Sequence, residues 1–380
     1  MADSVTSITE LLERTSARRF LEAPAPADMG LAEHLPFPFL GIVGQAEMKL
    51  AMLLNLINPS IGGVLLIGPR GTGKTTAVRG LTELMPDVER SLCSYGCLPE
   101  DIETGGMDAV CPDCAHKYAQ GDSLTFTDRV RLIELPLNSR LDDVVGGIDE
   151  RAAVQNRLRL DRGLLSRSDQ NVLYVDEVNL LSDDIVDAIL DASAQGIYTV
   201  HRGPLTATYR ARFVLIGSMN PEEGRLRPQI LDRFGLRVII HGLSDREERL
   251  EAYHRAVSYR NNPRKTVIDY EDLNHQVRQE INDARRALYE IELTRQAENY
   301  GLKMIEELGI HSLRAEITLF EAAKAHALAA GRNSAGVADI RQVAPFSLRL
   351  RRSQFIDEYL TSQQEEEEQI TGLLDSVRRK

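Results

Sequence analysis

Eight consecutive residues, Gly68-Pro69-Arg70-Gly71-Thr72-Gly73-Lys74-Thr75, fit the phosphate-loop pattern G-x-x-x-x-G-K-[ST] without a mismatch. Glycines at these places let the backbone wrap closely, so that successive N–H groups point at phosphate oxygens. Lys74 supplies a point charge for the β- and γ-phosphates, and the Thr75 hydroxyl is placed for Mg²⁺. The helix predicted over 76–84, opening at Thr76, adds the positive end of its dipole. Farther on, Asn171-Val172-Leu173-Tyr174-Val175-Asp176-Glu177 is an apolar run ending in two acids. There Asp176 would join the Mg²⁺ shell, and Glu177 would orient and polarise the attacking water. A third apolar run, from Phe213, ends at Asn220, whose amide suits the γ-phosphate or the water. Arg233 closes a short helix; it either neutralises transition-state charge, often in a neighbouring subunit, or pairs with Asp232 or another nearby acid. The chemistry these groups share is ATP hydrolysis with Mg²⁺.

All four cysteines of the chain, Cys93, Cys97, Cys111 and Cys114, fall in one insertion over 91–118. Their spacing is close to that of a four-thiolate zinc knuckle, in which Zn²⁺ would stabilise a loop with little core of its own. Pro112 reads as a tight turn between the last pair, and His116 as a reserve ligand. The same spacing also admits thiol-redox control, or cysteines serving as small hydrophobes.

Holding these groups together takes a sheet. Apolar runs at 63–67, 131–135, 172–175, 213–216 and 238–240 read as buried strands, and 45–56 as a helix. Strands alternating with helical or turn-rich stretches imply an α/β fold, a mainly parallel sheet covered on both faces. A leader over 1–38 ends in a proline-rich connector, and the α/β domain spans 39–243. From 244 to 380 the pattern is helical. Ser244-Asp245-Arg246-Glu247 reads as a capping box, Asn262-Pro263 as a break, Gly331 as a stop, and Glu365–Glu368 as a solvated acidic tail.

A hydrophobic content of 43% over 380 residues predicts packed domains, and a net charge of −12 argues against a nucleic-acid coat. No segment approaches the roughly 20 apolar residues of a membrane span. Asp3, Glu10 and Glu13 argue against a secretory or transit peptide, so the expected location is the cytoplasm.

The order and spacing of these elements, with helices behind them, resemble the AAA+ family of ring-forming ATPases. More specifically, several phrases resemble the ATPase subunit I family of magnesium chelatase. They are Gly41-Ile42-Val43-Gly44-Gln45, Ile61-Gly62-Gly63, Asp176-Glu177-Val178-Asn179-Leu180-Leu181 and Asn220-Pro221-Glu222-Glu223-Gly224. The likeness runs from about 38 to 243 and into the helical part, where His311-Ser312-Leu313-Arg314-Ala315-Glu316 looks like the family's second sensor. The resemblance implies that Arg314 lies over the nucleotide. It also implies a homo-oligomeric, hexameric ring that works with subunits D and H to drive Mg²⁺ insertion into protoporphyrin IX, in chlorophyll or bacteriochlorophyll synthesis. Porphyrin would be bound by the large H subunit and not by this chain. Residues 125–149 resemble the family's helix-2 insert and 197–213 its hairpin insert, both facing the ring pore or partner subunits. Leu137-Asn138-Ser139-Arg140 and Met219 depart from the family pattern. Two rival readings share the ATPase core: a cobaltochelatase motor, and a MoxR-like chaperone with no tetrapyrrole partner.

Overall fold

The computed structural model describes residues 35–93, 95–148, 160–224 and 226–351. The leader up to residue 34, Asp149 of the helix-2 insert and the acidic run Glu365–Glu368 lie outside the described residues.

Helix α1 (Ala46–Ile57) precedes β1 (Val64–Ile67), four aliphatic residues that are all buried. The phosphate loop then opens α2 (Lys74–Leu81), so this helix starts two residues earlier than its apolar pattern indicates. Strands β2 (Val88–Ser91) and β3 (Thr125–Asp128) pair antiparallel. Between them they carry the cysteine insertion, with α3 (Pro99–Gly105) and α4 (Pro112–Gln120). Pro112 is thus the first residue of a helix rather than a turn; a fixed φ and a missing N–H are both tolerated at that position.

Next come β4 (Leu132–Leu135), α5 (Leu141–Val145), α6 (Leu164–Arg167), β5 (Val172–Val175) and α7 (Asp183–Gln195). Strands β6 (Ile197–Arg202) and β7 (Leu205–Arg210) form a hairpin turned by Gly203, at φ 57°, and Pro204. After it follow β8 (Val214–Met219), α8 (Pro228–Arg233) and β9 (Leu236–Ile239). Five strands pair in parallel in the order β4-β5-β8-β1-β9, and each apolar run read as a strand is among them. One boundary needs correction. The stretch 125–149 is not purely an insert, because Leu132–Leu135 is the sheet's edge strand, in register with Val172–Val175.

Side-chain alternation sorts the sheet into two layers. Leu66, Tyr174, Ile216 and Val238 face α1 and α2, whereas Leu65, Leu173, Val175 and Leu215 face α7 and α8. Both faces are dry, as a parallel sheet requires.

The remaining elements are α9 (Arg246–Asn261), α10 (Pro263–Asp269), α11 (Glu271–Ala287), the short strand β10 (Glu292–Leu293), α12 (Arg295–Glu307), α13 (Leu313–Ala329), β11 (Ser334–Ala335) and α14 (Val337–Leu348). Helix α9 is capped by Asp245, which accepts the Glu248 N–H at 3.0 Å, and not by Ser244. Asn262 ends α9 and caps α10, and Gly331 follows α13 at φ 68°. Leu319, Ala322, Ile340 and Phe346 join the core layer on the α1 side of the sheet. Two arginines fasten the join: buried Arg237 donates to the Arg349 carbonyl at 2.7 Å, and half-buried Arg285 to the Leu56 carbonyl at 2.7 Å. Among the described residues no helix is long and apolar enough to cross a membrane.

Candidate functional site

Parallel pairing brings the C-terminal ends of β1, β8 and β5 side by side, and the phosphate loop, Asn220 and the acid pair follow directly from them. Gly68 donates its N–H to the Met219 carbonyl at 3.1 Å, which ties the loop to β8. A Cβ on Gly68 would stand 2.5 Å from the Ile240 carbonyl oxygen, so only glycine fits there. Gly71 and Gly73 take φ of 79° and 85°, the left-handed region that costs glycine little. The Lys74 ammonium folds along the loop and donates to the carbonyls of Gly68 at 2.7 Å and Pro69 at 2.8 Å. Burial lowers the Lys74 pKa, with Asp176, Glu223 and Glu177 pulling it back up.

A chain of hydroxyls joins the loop to the acids. Thr75 Oγ1 lies 3.1 Å from the Tyr174 hydroxyl, which donates to Asp176 Oδ1 at 2.9 Å. Ser218 donates to the same oxygen and accepts the Glu177 N–H at 3.2 Å. Burial pushes the Tyr174 phenol well above its ordinary pKa, so it keeps the proton it donates. Glu177 has a φ of 52°, uncommon for a residue with a Cβ, and the two backbone bonds around it hold that turn. Its carboxylate Oε1 lies 3.2 Å from the Arg70 guanidinium, which also pairs with Glu223. Asn220 is buried, and its Oδ1 accepts the Glu222 N–H at 3.3 Å.

Together Arg70 to Thr76, Asp176, Glu177, Ser218, Met219 and Asn220 line a cleft of about 430 Å³. A neighbouring cavity of about 610 Å³ shares Gly71, Thr72, Gly73 and Thr76 with it and extends to Ile42, Val43 and Leu243 under α9. The first is polar and shaped for phosphates; the second offers aliphatic walls to a flat base. A hydroxyl and a carboxylate, Thr75 and Asp176, are hard oxygen donors that suit Mg²⁺.

Two of the expected catalytic residues are not in this cleft. Arg233 pairs with Asp187 at 3.1 Å and Asp191 at 3.0 Å, acids one turn apart on α7, and not with Asp232. Asp232 instead holds Arg351 at 2.8 Å, Ser312 at 3.0 Å and Arg314 at 3.4 Å. Arg314 therefore does not lie over the phosphate loop of its own chain. It starts α13, and the packing of that helix on α1 carries it to a separate groove of about 760 Å³, which Arg233 also lines. Sequence reasoning missed Tyr174, Ser218 and Glu223; the signal for the first two was polarity inside an otherwise apolar strand.

The four cysteine sulfurs all lie within 4.8 Å of one another, and Cys93 Sγ stands 3.5 Å from Cys111 Sγ. Backbone N–H groups of Tyr95 and Cys111 point at the sulfurs of Cys93 and Cys97, at 3.3 and 3.4 Å. Burial pushes the Cys97 thiol up to about 11 and the Cys114 thiol higher still. His116 is not part of the group.

The sheet order, the phosphate loop and the acid pair define an AAA+ ATPase. A family model described as magnesium chelatase, subunit ChlI, matches residues 148–229, and one described as AAA lid domain matches residues 305–371. The magnesium-chelatase subunit ChlI homolog of Methanocaldococcus jannaschii is 39% identical over 323 residues, 84% of this chain and 87% of that protein. The magnesium-chelatase 38 kDa subunit of Acidiphilium rubrum is 39% identical over 327 residues, 85% of this chain and 93% of that protein. A solved protein of Cytophaga hutchinsonii superposes with a TM-score of 0.53 at 20% identity, covering 82% of this chain and 84% of that one, a likeness of fold alone. The chain belongs to the magnesium chelatase subunit ChlI family, ATP-dependent motor subunits that use ATP and Mg²⁺. Neither the cobaltochelatase nor the chaperone reading gains support from these relatives.

Proposed function

We propose that this chain hydrolyses ATP in the cleft between β1, β8 and β5 and uses the resulting motion to drive partner subunits that insert Mg²⁺ into protoporphyrin IX. The observation that carries the ATPase part is the hydrogen-bond chain Thr75–Tyr174–Asp176–Ser218–Glu177, which ties the phosphate loop to the acid pair. Residues Gly68 to Thr76 hold the phosphates, with Lys74 moving from the loop carbonyls to the β- and γ-phosphates. Thr75 and Asp176 would hold the nucleotide's Mg²⁺, which neutralises charge on those phosphates. Glu177, once released from Arg70, orients the water, and Asn220 contacts the γ-phosphate or that water.

Arg233 and Arg314 face away from this cleft as a pair, so both are assigned to the nucleotide of an adjacent copy. That assignment requires a homo-oligomeric ring, read here as a hexamer. The relatives are named as subunits, which fits a motor working with subunits D and H, the latter binding porphyrin. Residues 39–243 form the ATPase domain and 244–380 the helical lid, in a cytoplasmic protein. Cys93, Cys97, Cys111 and Cys114 bind one structural Zn²⁺; sulfurs this close match a tetrahedral thiolate set.

Reconstitution tests the function. The purified chain, mixed with D, H, ATP, Mg²⁺ and protoporphyrin IX, should form Mg-protoporphyrin at a rate that depends on this chain. Undiminished ATP hydrolysis without any metal insertion would overturn the chelatase assignment and leave the ATPase standing.

A further inference from the structure

The hairpin β6–β7 has little of its own to hold it beyond Tyr198, which packs at its base against the core layer of α7. Val200 and Tyr209 are the only buried residues in its two strands, and an isolated two-stranded hairpin is marginal in water. Its tip pairs Arg202 with Asp142, a largely exposed contact of small worth. Its base is different, because there it lies against the cysteine insertion. The Tyr95 ring stacks on Tyr209 with centroids 6.1 Å apart and planes 13° from parallel. Tyr209 in turn contacts Tyr198 across the hairpin at 5.7 Å. Gly96, at φ 78°, brings its backbone so close that a Cβ would meet Arg210 Cδ at 3.3 Å. The Arg210 guanidinium forms a half-buried ion pair with Asp101, whose other oxygen accepts the Leu98 N–H at 2.8 Å.

All three contacting residues of the insertion lie close to the thiol cluster along the chain. Tyr95 and Gly96 lie inside the Cys93–Cys97 loop, and Asp101 is on α3, four residues beyond Cys97. The insertion has almost no other core: its buried apolar cluster is Cys97, Ile102, Cys114 and Leu124, half of it the thiols themselves. We propose that the cysteine site, loaded with Zn²⁺, anchors the hairpin, by closing the Cys93–Cys97 loop so that Tyr95, Gly96 and Asp101 seat against Tyr209 and Arg210. This rests on the zinc reading above. Binding displaces the thiol protons and leaves four sulfur ligands, with the N–H groups of Tyr95 and Cys111 donating to two of them. The hairpin runs through Ala211 and Arg212 straight into β8, so its base is also continuous with the strand that carries Ser218.

The test measures zinc content and amide hydrogen exchange of residues 198–209 in the full chain, before and after stripping with a high-affinity chelator. A second protein, Tyr95→Ala with Asp101→Asn, keeps all four thiols and breaks the seating alone. The anchor predicts one zinc per chain in both proteins. It also predicts hairpin exchange about tenfold faster in stripped wild type and in the zinc-loaded variant, with little further gain on stripping the variant. Zinc present, with hairpin exchange unchanged by stripping and by the double substitution, overturns the anchor while the metal site stands. No zinc, with four freely titratable thiols in the protein as purified, overturns the metal site and the anchor with it. If stripping unfolds the whole chain, the zinc-loaded variant decides.

Discussion

The phosphate-loop cleft and the groove that holds Arg233 and Arg314 are built on opposite principles. In the cleft every polar group is positioned by its own chain over short distances: a glycine-rich loop, three strand ends and a run of hydroxyls. In the groove two arginines are parked on acids, Arg233 on Asp187 and Asp191 and Arg314 on Asp232, and none of the phosphate-loop residues is among the described residues that line it. The cleft has what binds and orients a nucleotide, whereas the groove has what neutralises charge. If both arginines serve the nucleotide of an adjacent copy, as proposed, neither is a complete active site alone, and the difference is what a motor assembled from repeated copies requires.

The largest expected effect breaks this comparison most directly. Arg233→Ala should lower kcat for ATP by about 10³-fold or more, the loss typical of an arginine finger, without changing the fold. Mixing it with Lys74→Ala subunits should then restore activity, because each lacks what the other supplies. With random mixing at equal amounts roughly a quarter of the interfaces carry both groups, so recovery should approach that fraction. A mixture no more active than the sum of its parts, under conditions where mixed rings form, would place Arg233 in service of its own chain.

How much of this was legible beforehand differs between the two regions for a physical reason. Gly68 to Thr75 and Asp176-Glu177 could be read because local backbone geometry dictates their spacing, and the strands because buried parallel strands are continuously apolar. Tyr174 and Ser218 could not, since a polar atom within such a strand gives no sign of whether it meets Asp176 or merely fills space. The position of Arg314 was beyond reach of pattern altogether. It depends on how the helices after β9 dock on the sheet, through Arg237 with the Arg349 carbonyl just past α14 and Arg285 of α11 with the Leu56 carbonyl, contacts between residues more than a hundred positions apart. The smaller misreadings, Ser244 for Asp245 and a turn for the first residue of α4, are shifts of one element boundary.

Asp232 is where the groove meets the docked helices, and it gives the next largest effect. Its carboxylate faces Arg351 and Arg237, both buried. Burial by itself would raise the Asp232 carboxyl, but Arg351, Ser312 and Arg237 outweigh it and hold the group below its ordinary value of 3.8. Asp232→Ala leaves the buried Arg351 charge without its acid and should cost about 3 kcal/mol in a urea titration. The sign with pH follows from the lowered value: the stabilisation is full above the unfolded carboxyl's pKa and disappears as pH falls through the lower folded one. Wild type should therefore lose stability below about pH 4 more steeply than the variant. Equal acid sensitivity in the two proteins would show that Asp232 does not hold the join.

The smallest effect separates tethering from catalysis inside the cleft itself. Arg70 is 72% exposed and touches Glu177 at 3.2 Å. An exposed pair of that kind is worth about 0.2–1 kcal/mol, so Arg70→Ala should leave stability and ATP affinity nearly unchanged. If Arg70 only restrains Glu177 between turnovers, removing it should alter kcat by no more than about threefold, whereas Glu177→Gln should lower it at least a hundredfold. The two substitutions combined should then behave like Glu177→Gln alone, since without the Glu177 carboxylate the Arg70 restraint has no water-orienting group to act on, and Arg70 keeps only Glu223. A loss for Arg70→Ala as large as that for Glu177→Gln would mean that Arg70 meets the phosphates directly. The cleft would then contain a charge-neutralising arginine of its own, and the division of labour with the Arg233 groove would fail.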